Sequence, residues 1–214
     1  QLGRMNEIKK VRLETLVKEL ELKTIKAHIN PHFIFNALNS IRALVDENPE
    51  RARTAITELS NILRSSMQAE KLETVTLEKE LSIVKDYLAL ETIRFESRLR
   101  VVYHIDEDTL DQPVPPMMLQ TLVENAIKHG IGKQREGGVV EIWSEFNNNQ
   151  HQLIIKNTGA VEDDLDIDNS GFGVSSTKNR LALLFGDKAN FFIQNTKDHM
   201  VEAVVRLPLA GNNK

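Results

Sequence analysis

One short segment, residues 28–45, constrains the fold of this chain more than any other. Wound as a helix at about 100° per residue, it collects apolar residues on one stripe. These are Ile34, Ala37, Leu38, Ile41, Leu44 and Val45. His32 falls on the opposite face, with His28, Asn36 and Asn39 beside it, so that packing by the stripe leaves His32 in solvent. Pro31 should kink or restart the helix at this point, because its ring clashes with the carbonyl one turn back.

Two interpretations fit this segment equally well when it is taken alone. It is either an ordinary surface helix with a tolerated proline or a helix that presents a reactive imidazole. His28 and His32 also have the i, i+4 spacing of zinc ligands, but no third ligand is suggested and no Glu lies between them. We therefore expect no metal site there. The second half of the chain favours the reactive histidine.

Composition limits what the chain can do. Its 214 residues allow one good domain, or a small helical module and a domain of ordinary size. A formal net charge of −4 predicts no direct nucleic-acid partner, and the absence of cysteine excludes disulfides and thiolate metal sites. No apolar run approaches the roughly 20 residues of a membrane span. Because the chain begins abruptly in a charged helical pattern at Gln1, we expect it to be a fragment of a longer protein.

The N-terminal pattern predicts a helical hairpin. Residues 5–29 carry a narrow apolar seam suited to a coiled coil that runs into the His32 helix. Asn48 and Pro49 suit an N-cap and a first helical position, and a second helix should extend to about Glu70. Its inward-facing residues are predicted to be Ala52, Ala55, Ile56, Leu59, Ile62, Leu63 and Met67. Since two antiparallel helices cannot bury both stripes alone, a second copy should complete a four-helix bundle, which predicts a homodimer.

The remaining residues predict mixed helices and strands. The expected elements are a helix capped by Thr76 and ending near Phe95, a strand at 99–105, a helix at 117–129 closed by Gly130 as a C-terminal cap, strands at 139–146 and 152–157, a mobile acidic loop at 160–170, a helix at 173–185, and strands at 189–194 and 200–207. Such a mixture with hairpins predicts an α+β sandwich and not a doubly wound parallel sheet.

One predicted helix carries residues suited to a metal-bound phosphate. Thr121, Asn125 and Lys128 share a face, flanked by Glu124 and His129. The Asn125 carbonyl is a hard ligand of the kind that Mg²⁺ takes, and the two basic residues would add positive charge near phosphate oxygens. An amphipathic helix with a solvated polar face explains this segment equally well when it stands alone.

Two glycine-containing segments complete the pattern. Asn157 ends a strand before Gly159, where a polar side chain can bind a base edge and glycine permits close approach to a ring. Gly171 and Gly173 open a helix, whose free N–H groups and dipole favour phosphate. Each of these signals is weak alone. The nucleotide-site interpretation rests on the order and spacing of three segments that follow the His32 helices: the helix with Asn125, the strand end at Asn157 and the glycines at 171 and 173. The chain lacks the sequence of a P-loop.

At this point a family resemblance is evident. Residues 30–41, NPHFIFNALNSI, resemble the N-P-H-F-[LI]-F-N-x-L-N-x-I motif of the LytS-type sensor histidine kinases. Residues 122–130 resemble their N box, and residues 171–181, including Arg180 and Leu181, are similar to their second glycine box. Their Y-L-x-x-E-x-x-R-F signature is matched by Tyr87, Leu88, Glu91, Arg94 and Phe95. The likeness extends over residues 24–209.

The resemblance implies an architecture and an activity. It implies a helical coiled-coil linker at residues 1–23, a dimerisation and histidine phosphotransfer hairpin at 24–72, and a Bergerat-type ATP-binding catalytic domain of the GHKL type at 73–214. It further implies that ATP and Mg²⁺ phosphorylate His32, which passes the phosphoryl group to an Asp of a response regulator, often of the LytTR type. The chain would be the cytoplasmic portion of a bacterial protein that meets the membrane only through an absent upstream region.

The resemblance also implies roles for individual residues. Asn125 would bind Mg²⁺, Lys128 and His129 would lie near the phosphates, and Asn157 would contact adenine. The ATP-binding set that we predict also includes Thr121, and the glycines that shape the pocket are Gly159, Gly171 and Gly173. Three positions depart from the family: His28 stands where Gln is common, Ser176 where Asn is usual, and Asn157 where the wider superfamily has Asp. For the last of these we expect weaker ATP affinity and not its loss.

Two mechanistic hypotheses and two rival functions follow. Glu124 or His28 is hypothesised to orient or deprotonate the attacking imidazole, and Asn36, one turn after His32, to position a water that dephosphorylates the regulator. One rival is a catalytically weak dimeric scaffold with a degenerate ATP pocket. The departures at Ser176 and Asn157 are the features that favour this rival. The other is an ATPase of the same superfamily that drives a conformational change or phosphorylates a serine.

Overall fold

A computed structural model describes residues 30–160 and 172–210. The predicted coiled coil, His28, Gly171 and all of the acidic loop after Ala160 lie outside these residues. The described part contains helices α1 (Pro31–Glu47), α2 (Pro49–Gln68), α3 (Leu77–Phe95), α4 (Met118–Asn125) and α5 (Phe172–Phe185). Its strands are β1 (Val75–Thr76), β2 (Leu99–Ile105), β3 (Pro113–Val114), β4 (Gly138–Asn147), β5 (Gln150–Thr158), β6 (Asn190–Asn195) and β7 (Met200–Pro208). Of the described helices, none is long and apolar enough to cross a membrane.

Asparagine caps set the start of both hairpin helices. The side chain of Asn30 accepts hydrogen bonds from the backbone N–H groups of His32 and Phe33, and Pro31 occupies the first helical position. Asn48 repeats the arrangement at α2, where it accepts from the N–H of Arg51. Each cap satisfies a donor that the helix leaves free, and proline has no N–H to satisfy. The predicted helix start beside His32 is therefore confirmed.

The hairpin packs against α3, and this contact rotates its buried stripe. Phe33, outside the predicted stripe, is buried against Tyr87 of α3, with ring centroids 4.7 Å apart. Ala37 and Ile41 are buried as predicted. Leu38, Val45, Ile56 and Met67 of the predicted stripes are at least half exposed in the single chain, and their burial stays a prediction that requires a second copy. The burial of Phe33 differs from the prediction because α3 covers a neighbouring face of the hairpin, which periodicity within α1 and α2 could not indicate.

A five-stranded mixed sheet completes the fold. Its strand order is β2-β4-β5-β7-β6, with β2 and β4 parallel and the other neighbours antiparallel. The short strands β1 and β3 pair separately. Buried residues of one sheet face, among them Ile142, Leu153 and Ile155, join the same apolar core as residues of all five helices. This is the α+β architecture that the sequence predicts.

The segment after α4 departs from the prediction. We expected one helix at 117–129 with Gly130 as its cap, but the α-helix ends at Asn125 and residues Ala126–Gly130 form a π-helical turn. Gly130 has φ −92°, so it is not a left-handed cap. It is needed for close packing, since a Cβ there would lie 2.3 Å from Asn157 Nδ2 and 2.8 Å from the carbonyl oxygen of Thr158. Single π turns are frequent at functional sites.

Candidate functional site

His32 lies in the first turn of α1 and is exposed to solvent, as predicted. Asn36 Nδ2, one turn further on, lies 3.2 Å from His32 Nδ1. Because an amide NH₂ can only donate, Nδ1 is the acceptor, and the neutral ring then carries its proton on Nε2. Asn36 thus controls which ring nitrogen has a free lone pair.

Two of the predicted phosphate-site residues lie on α4 itself. Asn125 Nδ2 is buried and makes no hydrogen bond within the described residues. Because buried polar groups are normally paired, this unpaired N–H donor is a candidate contact for an acceptor atom of a ligand. Thr121 is half-buried, and its hydroxyl donates to the carbonyl of Met117 at 2.7 Å. In the π turn that follows, the side chains of Lys128 and His129 are exposed. Partial desolvation of the His129 ring and the charges of Lys128 and Lys133 lower the pKa of His129.

The predicted strand-end residues meet the end of this turn. Asn157 is buried, and its Nδ2 donates to the carbonyl of Thr158 at 3.1 Å. Gly130 lies directly against this side chain. Gly159 has φ +144°, which favours glycine, and the Cα of Gly130 would lie 3.5 Å from a Cβ at this position. The structure therefore brings Gly130, Asn157 and Gly159 together from segments that are separated in sequence.

The second glycine box is only partly described. Gly171 lies outside the described residues. Helix α5 begins at Phe172, one residue before the predicted start at Gly173, so Gly173 belongs to the first turn and does not precede the helix. Val174 and Leu181 are buried and hold this helix on the core.

Glu124 is a half-buried carboxyl group on α4. Gln120 Nε2 donates to its Oε1 at 2.8 Å, while burial raises the pKa of Glu124 to about 7, with a further contribution from the charge of Glu91. Glu91 on α3 is itself only 3% exposed and pairs with Arg94 Nη1 at 3.5 Å. A carboxyl with a pKa near neutrality can exchange a proton at physiological pH.

Tyr87 links this carboxyl pair to the histidine helix. It is buried, and its pKa is raised by burial and by the neighbouring charges of Glu91 and Glu124. Its ring also packs on Phe33, which follows His32 in the chain. Phe33, next to His32 in the chain, therefore packs on a tyrosine whose pKa the charge of Glu124 also raises.

Comparison with known proteins agrees with this geometry. The histidine kinase family model matches residues 20–99. The sensor protein LytS of Staphylococcus haemolyticus is 36% identical over 193 residues, which cover 85% of this chain and 33% of that protein. The sensor histidine kinase/phosphatase LytS of Staphylococcus aureus strain Mu50 is 37% identical over 166 residues, or 78% of this chain and 26% of that protein. The chain belongs to the LytS-type sensor histidine kinase family. It spans about a third of the length of these relatives or less.

Solved structures place this LytS-type chain in the histidine kinase fold. The catalytic domain of the histidine kinase ThkA covers 64% of the chain with a TM-score of 0.50 and 19% identity, and 94% of that structure is matched. The histidine kinase domain of the blue-light activated kinase EL346 from Erythrobacter litoralis covers 90% of this chain and 93% of its own length, with a TM-score of 0.52 and 14% identity. At these identities the likeness shows the fold.

Sequence reasoning about this LytS-type chain missed two buried glutamates of its described part. The two are Glu91, which was identified only as part of a signature, and Glu80, which was not predicted as a site residue. Both fall in phase with the apolar stripe of their helix, beside Leu81, Leu88 and Phe95. A charge at a stripe position is the signal that could have identified them, because burying it requires specific partners.

Proposed function

We propose that this chain is the phosphotransfer hairpin and ATP-binding domain of a two-component sensor histidine kinase. In this proposal the γ-phosphoryl group of ATP is transferred to His32 and then to an Asp of a response regulator receiver domain. One observation carries the proposal: Phe33, next to the exposed imidazole of His32, packs on Tyr87, whose pKa is raised in part by the charge of Glu124. Glu124 is half-buried on α4, and the next residue, Asn125, has a buried Nδ2 without a partner among the described residues. The boundaries at residues 24–72 and 73–214 and the LytTR type of regulator remain predictions, as does a cytoplasmic place beside a membrane anchor.

The residues present fit ATP with Mg²⁺. The buried Nδ2 of Asn125, unpaired among the described residues, could donate to a phosphate oxygen, and the carbonyl Oδ1 of the same side chain is the metal ligand that we assign. Lys128 and His129 are exposed next to it, where positive charge would neutralise phosphate oxygens, and Thr121 is assigned to the same group. Gly130 and Gly159 allow the backbone to pack closely around Asn157, whose Oδ1 is assigned to the adenine amino group because its Nδ2 is already bonded. Gly171 and Gly173 remain predicted pocket residues. When bound, ATP-Mg²⁺ would supply the transferable phosphoryl group.

The chain's own residues then have defined tasks. Attack needs a ring nitrogen without a proton, and in the observed arrangement Asn36 occupies the lone pair of Nδ1. Rotation of the Asn36 amide would present Oδ1 instead, hold the proton on Nδ1 and free the lone pair of Nε2. As the bond between Nε2 and phosphorus forms and the bond to the leaving diphosphate breaks, the ring keeps its proton on Nδ1 and becomes positively charged, so this proton must be lost. Glu124, directly or through water, is assigned to accept it; the predicted alternative, His28, lies outside the described residues. Asn36 stays assigned to the water that dephosphorylates the regulator.

Transfer of label from ATP tests the proposal. The wild-type chain, incubated with γ-labelled ATP and Mg²⁺, is expected to carry a phosphoryl group that is lost in acid and kept in base. An acid-stable label would instead indicate a serine kinase, and ATP binding without label in this chain would indicate the scaffold.

The hairpin also supports a proposed homodimer. Five large apolar side chains on α1 and α2 are at least half exposed: Phe35, Leu38, Val45, Ile56 and Met67. Apolar residues concentrated on one pair of helices are typical of an interface between copies of a chain. A second hairpin would bury them in a four-helix bundle.

The double variant Leu38→Glu, Ile56→Glu is therefore expected to be monomeric. Two charges in the proposed apolar interface would each have to be desolvated, which should raise the dimer dissociation constant by about 10²-fold or more. Light scattering coupled to gel filtration measures the mass directly. Leu183→Glu is the matched control, since Leu183 is 87% exposed on α5 and outside the hairpin. A double variant with the mass of a dimer would contradict the proposed interface.

A further inference from the structure

Arg180 on α5 binds backbone carbonyls from two other parts of the molecule. Its Nη1 donates to the carbonyl oxygen of Pro116 at 3.3 Å, just before α4. Its Nη2 donates to the carbonyl oxygens of Ala69, at 3.4 Å, and Leu72, at 3.3 Å. Ala69 and Leu72 lie where the hairpin ends and the chain enters the ATP-binding domain. One guanidinium group therefore bridges the second glycine box helix, the N-box helix and the end of the hairpin.

This contact supplies what α2 lacks. The last carbonyls of a helix have no partner within it, and the helix dipole makes its C-terminal end favourable for a cation. The last turn of α2 contains no basic residue of its own. Arg180 provides a positive charge at the Ala69 carbonyl, which also accepts from the N–H of Leu72, from a helix more than a hundred residues further along the chain. The planar guanidinium can serve several carbonyls at once, which the ammonium group of a lysine does less well.

Glu80 provides the complementary cap at α4. Met117, which precedes α4, has the left-handed φ of 66° and makes no capping bond with its side chain. The carboxyl group of Glu80 accepts from the N–H groups of Met117, at 2.8 Å, and Leu119, at 3.2 Å. Burial raises the pKa of Glu80 to about 7. The backbone hydrogen bonds and the positive charge of Arg180 act in the opposite direction and lower this pKa. Both helix ends are thus capped from elsewhere in the chain, by two side chains of opposite charge that attract each other.

We propose that Arg180 is a positioning residue that holds the base of the His32 hairpin in one orientation on the ATP-binding domain. The inference rests on the proposed function for its catalytic consequence, but the orientation itself is independent of activity. Loss of the guanidinium would leave the carbonyls of Ala69 and Leu72 without their charged partner and let the hairpin take several orientations. Phosphoryl transfer requires reacting atoms held within a few tenths of an ångström, so this freedom would slow the reaction while leaving ATP binding intact.

Spin-label distances test the orientation. The chain contains no cysteine, so Thr57→Cys on α2 and Asn190→Cys on β6, both exposed, give two specific labels. Labelled chain is mixed with an excess of unlabelled chain, so that distances within one chain dominate in a dimer. Arg180→Met is expected to broaden the distance distribution, Arg180→Lys to broaden it less, and Arg64→Met, at an exposed arginine of α2, to leave it unchanged. A distribution for Arg180→Met as narrow as that of wild type would overturn the proposal.

Kinetics separate positioning from ATP binding. In Arg180→Met the rate of autophosphorylation is expected to fall about 10²-fold, with the dissociation constant of ATP changed less than about twofold, and Arg180→Lys should recover part of the rate. An ATP dissociation constant that rises in parallel with the loss of rate would place Arg180 in the nucleotide site and overturn the proposal. If Arg180→Met does not fold, Arg180→Lys carries the same test. A wild-type chain that takes no label, with broadening in Arg180→Met, would reject the proposed function and uphold the positioning.

Discussion

Replacement of Gly130 by alanine is expected to weaken ATP binding by more than about tenfold. The added Cβ would lie 2.3 Å from Asn157 Nδ2 and 2.8 Å from the carbonyl oxygen of Thr158. The second contact is with the backbone of β5, a strand that is paired on both sides and cannot move away easily. Asn157 must therefore leave the place from which it is proposed to bind adenine. Overpacking of this kind costs about 1–3 kcal/mol in the free energy of unfolding.

Two measurements on Gly130→Ala separate folding from binding. Thermal unfolding monitored by circular dichroism reports the stability, and titration with a fluorescent ATP analogue reports the affinity, which we expect to fall by more than about tenfold. Gly132→Ala is the matched control two residues further on, because a Cβ there meets only the carbonyl oxygen of Ile127, at 3.3 Å. If a folded Gly130→Ala protein bound the analogue as wild type does, Asn157 and its surroundings would not be the adenine site.

Replacement of Glu124 by glutamine is expected to lower the autophosphorylation rate by about 10²-fold or more. A base acts only when it is deprotonated, and burial raises the pKa of Glu124 to about 7. The wild-type rate should therefore rise with pH through about 7 and level off above it, and Glu124→Gln should lose this component. The charge of Glu91 also raises the pKa of Glu124. In Glu91→Gln the midpoint of the pH dependence of the autophosphorylation rate should therefore lie at lower pH than in wild type.

Initial rates of label incorporation between pH 6 and 9 provide this measurement, with the ATP dissociation constant determined beside them. Glu145→Gln on β4, away from α4, is the control for loss of a carboxylate.

The pH dependence of the free energy of unfolding independently tests whether the pKa of Glu124 is raised in the folded state. The folded state holds the proton of Glu124 more tightly than the unfolded state, so its contribution to stability is complete below pH 4.5 and is lost as pH rises through about 7. An unchanged rate in both Glu124→Gln and His28→Gln would eliminate both proposed bases.

Local signals in the sequence predicted the elements of the fold well. Asn30 with Pro31 and Asn48 with Pro49 are complete start signals, because a cap and a missing N–H act within three residues. The turn between β4 and β5 was equally readable, since Asn148 and Asn149 both adopt positive φ, which asparagine tolerates. Helix starts with a local cap and short hairpin turns are determined by neighbours in sequence, and so they can be predicted from sequence.

Features that depend on distant partners were not predictable in this way. The π turn after Asn125 accompanies the packing of Gly130 on Asn157, a contact between separate segments. The caps supplied by Glu80 and Arg180 join residues 37 to 111 positions apart, so no local pattern contains them. The exposure of Leu38 and Ile56 depends on α3 and on the proposed second copy. The roles assigned to individual site residues stay predictions until variants are measured.

The most direct test of the account is the identity of the residue that receives the phosphoryl group. Wild type, His32→Gln and the control His104→Gln, which replaces an exposed histidine on β2, are incubated with γ-labelled ATP and Mg²⁺. The account predicts an acid-labile label of similar extent in wild type and His104→Gln. It predicts none in His32→Gln, although that variant should still bind ATP. Label that persists in His32→Gln, or that survives acid, would contradict the assignment of His32 as the phosphoryl acceptor.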